Sequence, residues 1–317
     1  MNATQVWSTF RDVMRMKHYA WTTEQCYKNW IERYIEWLSK HSHDLATSEL
    51  RMGAFLTMLA HQDCAAATQN QAFNAILFLY REVLKQKLDN IQSLRAKRPT
   101  LVRFCPSKAD VLRVITDVKD LHGYPCRLVS KLLYGCGLRV TEPLNLRVRD
   151  VDLEHSRLII RGAKGGKDRV VTVPCALMGE VVAQMKRARL IWESDAEHRL
   201  PVQLPGALER KYKNAPLALQ WSWVFPSKTA CRHPRTGETV RWRMHEANIQ
   251  KAVKAAATAL GLDGAVTPHC FRHAYCTHVL DDGARVGDVQ VAMGHAQLST
   301  TQGYNHAEAS RVISPLA

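Results

Sequence analysis

His269-Cys270-Phe271-Arg272-His273-Ala274-Tyr275-Cys276-Thr277-His278-Val279-Leu280-Asp281, followed by Met293-Gly294-His295 and by Tyr304, is the stretch from which the rest of the chain can be read. Residues 269–281 are predicted to form a helix. On it, His269 and Arg272 stand one turn apart at i and i+3 and share a face, where a phosphate could meet both. Residues 299–306 open with Ser299, a cap-like hydroxyl, and are predicted to carry Tyr304 on a short helix of its own. That phenol is the candidate nucleophile.

Upstream, Gly135 and Gly137 flank Cys136 and free the backbone just before Arg139, whose guanidinium can then be aimed inward from the start of a helix. Glu142, three residues on, can pair with that guanidinium and fix its rotamer. Before this turn, Ser107-x-x-Asp110 reads as a cap for a helix bearing Val111, Val114, Ile115 and Val118, and a second helix runs through Leu128, Val129 and Leu132. After it, residues 157–161 and 169–173 flank a glycine-containing loop and read as a β-hairpin, with Lys164 near its tip. An ammonium there can reach a phosphate and give a proton to a departing oxygen.

Residues 1–92 read as a helical domain without a catalytic constellation of its own. A first helix lies around Val6, Phe10 and Met14. In the second, Tyr27, Trp30, Ile31, Tyr34, Ile35 and Leu38 form an amphipathic stripe, and Met52, Phe55, Leu56 and Leu59 repeat the pattern. Thr68-x-x-Gln71 reads as a capping box opening the fourth helix, ahead of Ala72, Ile76, Leu79, Tyr80, Val83 and Leu84. Residues 93–107 hold two prolines and a basic run and read as a linker. Residues 108–317 form the second domain.

The chain has 317 residues, more than a single core usually holds, which favours two domains. It carries 44 Lys+Arg against 29 Asp+Glu, a net charge of +15, which favours a polyanionic partner and salt-dependent binding to nucleic acid. No signal peptide or long apolar span is visible, so the expected compartment is the cytoplasm, with no membrane association. The nine cysteines include no C-x-x-C pair and read as reduced thiols. Cys270, His273, Cys276 and His278 crowd one predicted helix, whereas a structural zinc site draws on two separated ligand pairs, so no metal is expected.

The ordered set Arg139, Lys164, His269-x-x-Arg272, His295 and Tyr304 resembles the active-site signature of the tyrosine recombinases. The resemblance implies a mainly α fold with a small antiparallel β-hairpin: an N-terminal helical, SAM-like core-binding domain and a catalytic domain that close as a clamp around DNA. It implies an enzyme whose tyrosine attacks phosphorus to form a 3'-phosphotyrosyl link, with Arg139, Arg272 and His295 on the non-bridging oxygens. Lys164 then serves as the acid on the leaving 5'-oxygen, and His269 takes the phenol proton. Such chemistry requires no cofactor.

A long insertion at about residues 200–245, with Trp221-Ser222-Trp223-Val224-Phe225, and the tail Val312-Ile313-Ser314-Pro315-Leu316 look like the features of the integron integrases within that family. That resemblance implies recombination of gene cassettes at folded single-stranded hairpins as well as duplex sites, in a homotetramer exchanging C-terminal tails. A Xer-like or phage-type recombinase acting on duplex sites only is the alternative. Trp221 and Pro234 match positions that read bases turned out of the hairpin. Trp242-Arg243 stand where that family usually has two adjacent histidines, which keeps the capacity to stack on a base and to contact phosphate.

Overall fold

The computed structural model describes residues 2–41, 45–94, 105–162, 168–204, 208–262, 264 and 266–294. The chain divides into two compact units, Met1–Val102 and Arg103–Ala317. Both are mainly helical, and the second also holds two small antiparallel sheets among its described residues.

The first unit consists of α1 (Ala3–Met16), α2 (Trp21–His41), α3 (Ser48–His61) and α4 (Ala66–Phe78), the last running into one π turn, Leu79–Val83. Asn2 closes a capping box with Gln5 at the start of α1, and the Thr47 side chain caps α3. Most of the stripe residues meet: Tyr34, Met52, Phe55, Leu56 and Ile76 are fully buried together, and Phe10, Met14 and Ile31 pack with Phe78 and Leu79, whereas Ile35 and Leu84 are exposed. The Tyr34 and Tyr80 hydroxyls satisfy each other in this core at 3.0 Å.

The start of α4 corrects the reading of Thr68 as a cap. The helix begins at Ala66, its cap Ala65 makes no side-chain bond, and Thr68 lies inside the first turn. Burial of Ala66 and Gln69 places the helix start earlier than the hydroxyl suggested. The Gln69 amide donates to the Leu56 carbonyl at 2.8 Å and the Leu94 carbonyl at 2.6 Å, and Leu94 N–H donates to Thr57 Oγ1 at 3.1 Å. The non-helical strip after α4 is thus bonded onto this unit as far as Leu94.

The second unit opens with α5 (Lys108–Asp117), capped by Ser107 as its sequence suggested, then α6 (Cys126–Gly135) and the single turn α7 (Thr141–Leu144). Strands β1 (Val151–Asp152), β2 (Arg157–Ile160) and β3 (Arg169–Thr172) form an antiparallel sheet in that order, with Leu158 opposite Val171 and Ile160 opposite Arg169. There follow α8 (Cys175–Glu197), the short α9 (Leu208–Lys211), the two-stranded β4 (Cys231–Arg232) and β5 (Thr239–Val240), then α10 (Glu246–Ala259), α11 (Pro268–Asp281) and α12 (Val286–Met293). Helices α5, α6, α10 and α11 bury Val114, Val129, Leu133, Val253 and Phe271 in one core.

His278 pins the first described residues of this unit. The Pro106 carbonyl can only accept, so Nε2 of His278 donates to it (3.1 Å), leaving Nδ1 to accept from the Tyr134 hydroxyl (2.9 Å). No helix of the described residues is long and apolar enough to cross a membrane.

Gly53 supplies a test of the strip that follows α4. A Cβ there would meet the Gln92 carbonyl oxygen at 2.1 Å, a backbone atom that cannot swing aside. In an open helix, Gly→Ala stabilises by about 1 kcal/mol. Here we expect Gly53→Ala to destabilise by about 1–3 kcal/mol through overpacking, read as a lower melting temperature. A raised melting temperature would show that the strip does not lie against α3.

Candidate active site

Glu142 is the centre of the site. The turn before it depends on Gly137, which is in the left-handed region (φ +61) and lies so close to the Tyr275 ring that a Cβ would meet Cδ1 at 2.5 Å. Past this turn, Arg139 reaches Glu142 twice: its backbone N–H donates to Oε2 at 2.8 Å, and its guanidinium to Oε1 at 2.8 Å. The carboxylate also receives a two-pronged contact from Arg169 at the start of β3, Nη1 to Oε1 at 2.9 Å and Nη2 to Oε2 at 2.6 Å. Arg272 adds its charge at 3.8 Å. Three guanidinium groups thus converge on one carboxylate, whose side chain is 8% exposed.

Burial alone would raise the Glu142 pKa, but bonds and charge from Arg169, then Arg139, outweigh it and hold the group below the usual carboxylate value. Arg272 is buried on α11, a helix opened by the Thr267 side chain accepting from Cys270 N–H. Its Nη1 donates to the Gly137 carbonyl and its Nη2 to the Met293 carbonyl, both at 2.5 Å. Burial pulls its pKa down to about 10, with the charge of Arg139 acting in the same sense, so it stays protonated at neutral pH. Arg139 keeps 26% of its side chain exposed and lines a cleft of about 230 Å³ with Glu142, Asn145, Asp150, Arg161 and Gly162.

His269 is exposed at the N-terminal end of α11, and its Nε2 lies 3.1 Å from Nε2 of His273 in an edge-to-face pair. Arg272, one turn away, points inward instead. The structure therefore brings Arg139 and Arg272 together through Glu142 and sets His269 on the outer side of the same helix. Lys164, His295 and Tyr304 lie outside the described residues, as does the tail with Val312, Ile313 and Leu316. The described backbone leads up to His295, because α12 stops at Gly294 in the left-handed region (φ +61).

The insertion after α8 is held by two arginines from the turn after α7, Arg147 and Arg149. The Arg147 guanidinium carbon lies 3.2 Å from the centroid of the Trp223 ring and the group donates to the Trp221 and Gln203 carbonyls, both at 2.7 Å. Arg149 lies 3.6 Å over Trp221. Desolvation pulls Arg147 down to about 9, offset in part by Asp150. Arg241 in turn grips Asp195 of α8 with two bonds of 2.7 and 2.5 Å.

This corrects the expectation that Trp221 offers a stacking face: it is 6% exposed, packed with Val202, Leu204 and Trp223, and one face of its ring is covered by Arg149. Pro234 is exposed. Trp242 is half-buried, its ring 5.6 Å from His233 and 6.4 Å from Trp223. Arg243 is half-buried beside it, with its pKa lowered by burial, partly offset by Glu246.

Residues 107–311 match the model of the phage integrase family, and residues 7–90 match that of the phage integrase N-terminal SAM-like domain. The chain belongs to the phage integrase family. It is a tyrosine recombinase, an enzyme that cleaves and rejoins DNA. It is 36% identical to an integrase/recombinase of Escherichia coli over 96% of this chain and 90% of that one. It is 29% identical to the tyrosine recombinase XerA of Thermococcus kodakarensis over 89% and 83%. Its fold is similar to XerH bound to its difH substrate in a pre-cleavage complex, with a TM-score of 0.59 and 19% identity over 95% and 80% of the two chains. It is also similar to the Tn1549 transposon integrase with right-end DNA, with a TM-score of 0.57 and 14% identity over 96% of each chain.

Within this recombinase, sequence reading had used Arg169 only as the first residue of a strand, and Arg147 and Arg149 not at all. Strand alternation held a signal for the first: Arg169 shares the face of Val171, which is buried.

Replacing Glu142 with Gln leaves several guanidinium groups facing a neutral amide. Breaking a buried ion pair costs about 3–5 kcal/mol, so we expect a clearly lower melting temperature at pH 7. A depressed carboxylate stabilises above its unfolded pKa of about 4.3, and that stability is lost as pH falls through the folded value. The gap between the proteins should therefore narrow below about pH 4. A gap independent of pH would mean that the carboxylate charge is not what holds the site.

Proposed function

We propose that this recombinase is an integron integrase, recombining gene cassettes at folded single-stranded hairpins and at duplex sites through a 3'-phosphotyrosyl intermediate. What carries the reading is the insertion between α8 and α10, in which Trp221 and Trp223 are buried under Arg149 and Arg147 from the turn after α7, while Trp242 is half-buried and Pro234 exposed. A half-buried indole such as Trp242 suits a base turned out of a helix, since stacking is tolerant of sequence. The 36% identical relative is named an integrase/recombinase and matches over 96% of this chain. A duplex-only, Xer-like activity remains the second reading, favoured by the relatives named XerA, XerC and XerD.

In the chemistry we propose, the Tyr304 phenolic oxygen attacks phosphorus as the bond to the 5'-oxygen breaks. His269 takes the phenol proton, needed because a tyrosine of pKa about 10 is a poor nucleophile at neutral pH. Lys164 gives a proton to the leaving 5'-oxygen. Arg139, Arg272 and His295 offset the charge that builds on the non-bridging oxygens, as preorganised donors do. The second strand's free 5'-hydroxyl then reverses the step, so the bond is conserved and the reaction needs no external energy source. Joining two duplexes takes four such cuts, which we assign to a homotetramer in the cytoplasm that closes on DNA with both units and exchanges its C-terminal tails.

Tyr304→Phe should bind its site and form no covalent adduct on a labelled oligonucleotide; an adduct from this variant would place the nucleophile elsewhere. Lys164→Ala should regain cleavage on a substrate with sulfur as the leaving 5'-atom, which needs no proton, and failure of that rescue would remove Lys164 from the acid role.

Trp242→Ala should weaken binding to a hairpin with unpaired bases by about 1–3 kcal/mol and spare a fully paired duplex. Trp221→Ala should instead lower the melting temperature, by about 3–5 kcal/mol of stability, and weaken both together. Equal losses on the two substrates for Trp242→Ala, with unchanged melting, would favour the Xer-like reading.

A further inference from the structure

We infer that Arg169 is a positioning residue of the cleavage reaction, the brace by which the hairpin strand β3 sets the Glu142 carboxylate and the end of α12 at the same time. The inference rests on Arg139 and Arg272 being the groups that hold the phosphate.

The geometry is specific to a guanidinium. Two nitrogens of Arg169 take the two oxygens of Glu142, and the third, Nε, donates to the Ala292 carbonyl at 3.0 Å in the last turn of α12. The neighbouring carbonyl, Met293, is held by Arg272. The side chain is 9% exposed, and Gly294 closes over it: a Cβ on Gly294 would meet Arg169 Cδ at 3.0 Å. Arg169 therefore spans three elements, β3, α7 and α12. In the sequence Lys164 precedes the first of these and His295 follows the third, and the second holds Arg139 through Glu142.

A lysine cannot reproduce this, because a single ammonium nitrogen cannot serve both carboxylate oxygens and a carbonyl in a fixed fork. Among the described residues, the charged groups on Glu142 are Arg139, Arg169 and Arg272; across the cleft, Asp150 pairs with Arg161 at 2.6 Å and Arg149 at 3.7 Å, and Arg161 also with Asp168 at 3.2 Å. Arg169 comes first among the groups that hold the Glu142 pKa down. Removing it raises that pKa, so Glu142 is protonated, and its grip on Arg139 lost, at a higher pH than in the wild type.

The experiment is single-turnover cleavage of a suicide duplex by the full chain, measured from pH 5 to 8 beside site affinity and thermal melting. It compares wild type, Arg169→Gln, Arg169→Lys, Glu142→Gln, the Arg169→Gln/Glu142→Gln double variant and Arg139→Ala. We expect Arg169→Gln to lose about 100-fold or more in cleavage rate, with affinity changed by about threefold or less, and its acidic limb to move to higher pH. Arg169→Lys should recover only part of the rate. In the Glu142→Gln background, Arg169→Gln should add little, since both changes break one unit.

Wild-type rate and pH profile in Arg169→Gln, full recovery by lysine, a loss that multiplies with that of Glu142→Gln, or unfolding of both Arg169 variants would each overturn the assignment. If Arg169→Gln cleaves normally while Arg139→Ala does not, only this inference fails. If both cleave normally, the phosphate-holding reading fails with it.

Discussion

A single buried carboxylate, Glu142, gathers the guanidinium groups of Arg139, Arg169 and Arg272, and the order of the catalytic unit follows from that gathering. Three cations drawn to one place repel each other, and each loses hydration. One carboxylate accepting four bonds of 2.6–2.9 Å offsets that cost without neutralising the cluster. Of the three guanidinium groups, Arg139 is the one that lines the neighbouring cleft, where 26% of its side chain is exposed. The same residues tie the turn before α7, strand β3, helix α11 and the end of α12 together, so the electrostatics of the site and the connectivity of the fold are one device.

The insertion repeats the principle with π faces in place of carboxylates. Arg147 and Arg149 come from the turn after α7, yet they cover Trp223 and Trp221, and Arg147 also donates to the Trp221 and Gln203 carbonyls. The module is therefore anchored to the segment that also carries Asp150, which pairs with Arg161 beside the Arg139 cleft. A base bound on the insertion and a phosphate bound at Arg139 would act on neighbouring turns of one chain.

Much of this was legible in the sequence because it is local. The Ser107 cap, the two strands of the hairpin and the helix carrying His269 and Arg272 each follow from spacing within about a dozen residues, and the pairing of Arg139 with Glu142 is a one-turn contact. What was not legible is long-range. Thr68-x-x-Gln71 has the pattern of a cap, but burial of Ala66 and Gln69 starts α4 earlier. Trp221 matched a base-reading position, and its burial depends on arginines more than 70 residues away. Arg169 meets Glu142 across 27 residues and Ala292 across 123, separations that no periodicity encodes.

The central claim is that the guanidinium groups ordered by Glu142 serve to offset charge on a scissile phosphate. Its most direct test is the cleavage rate of Arg139→Ala on two matched duplexes, one with an ordinary scissile phosphodiester and one in which a methyl group replaces a non-bridging oxygen and removes the charge. The account predicts a loss of orders of magnitude on the phosphodiester and a far smaller loss, relative to wild type, on the neutral methylphosphonate. Equal losses on both substrates would contradict it.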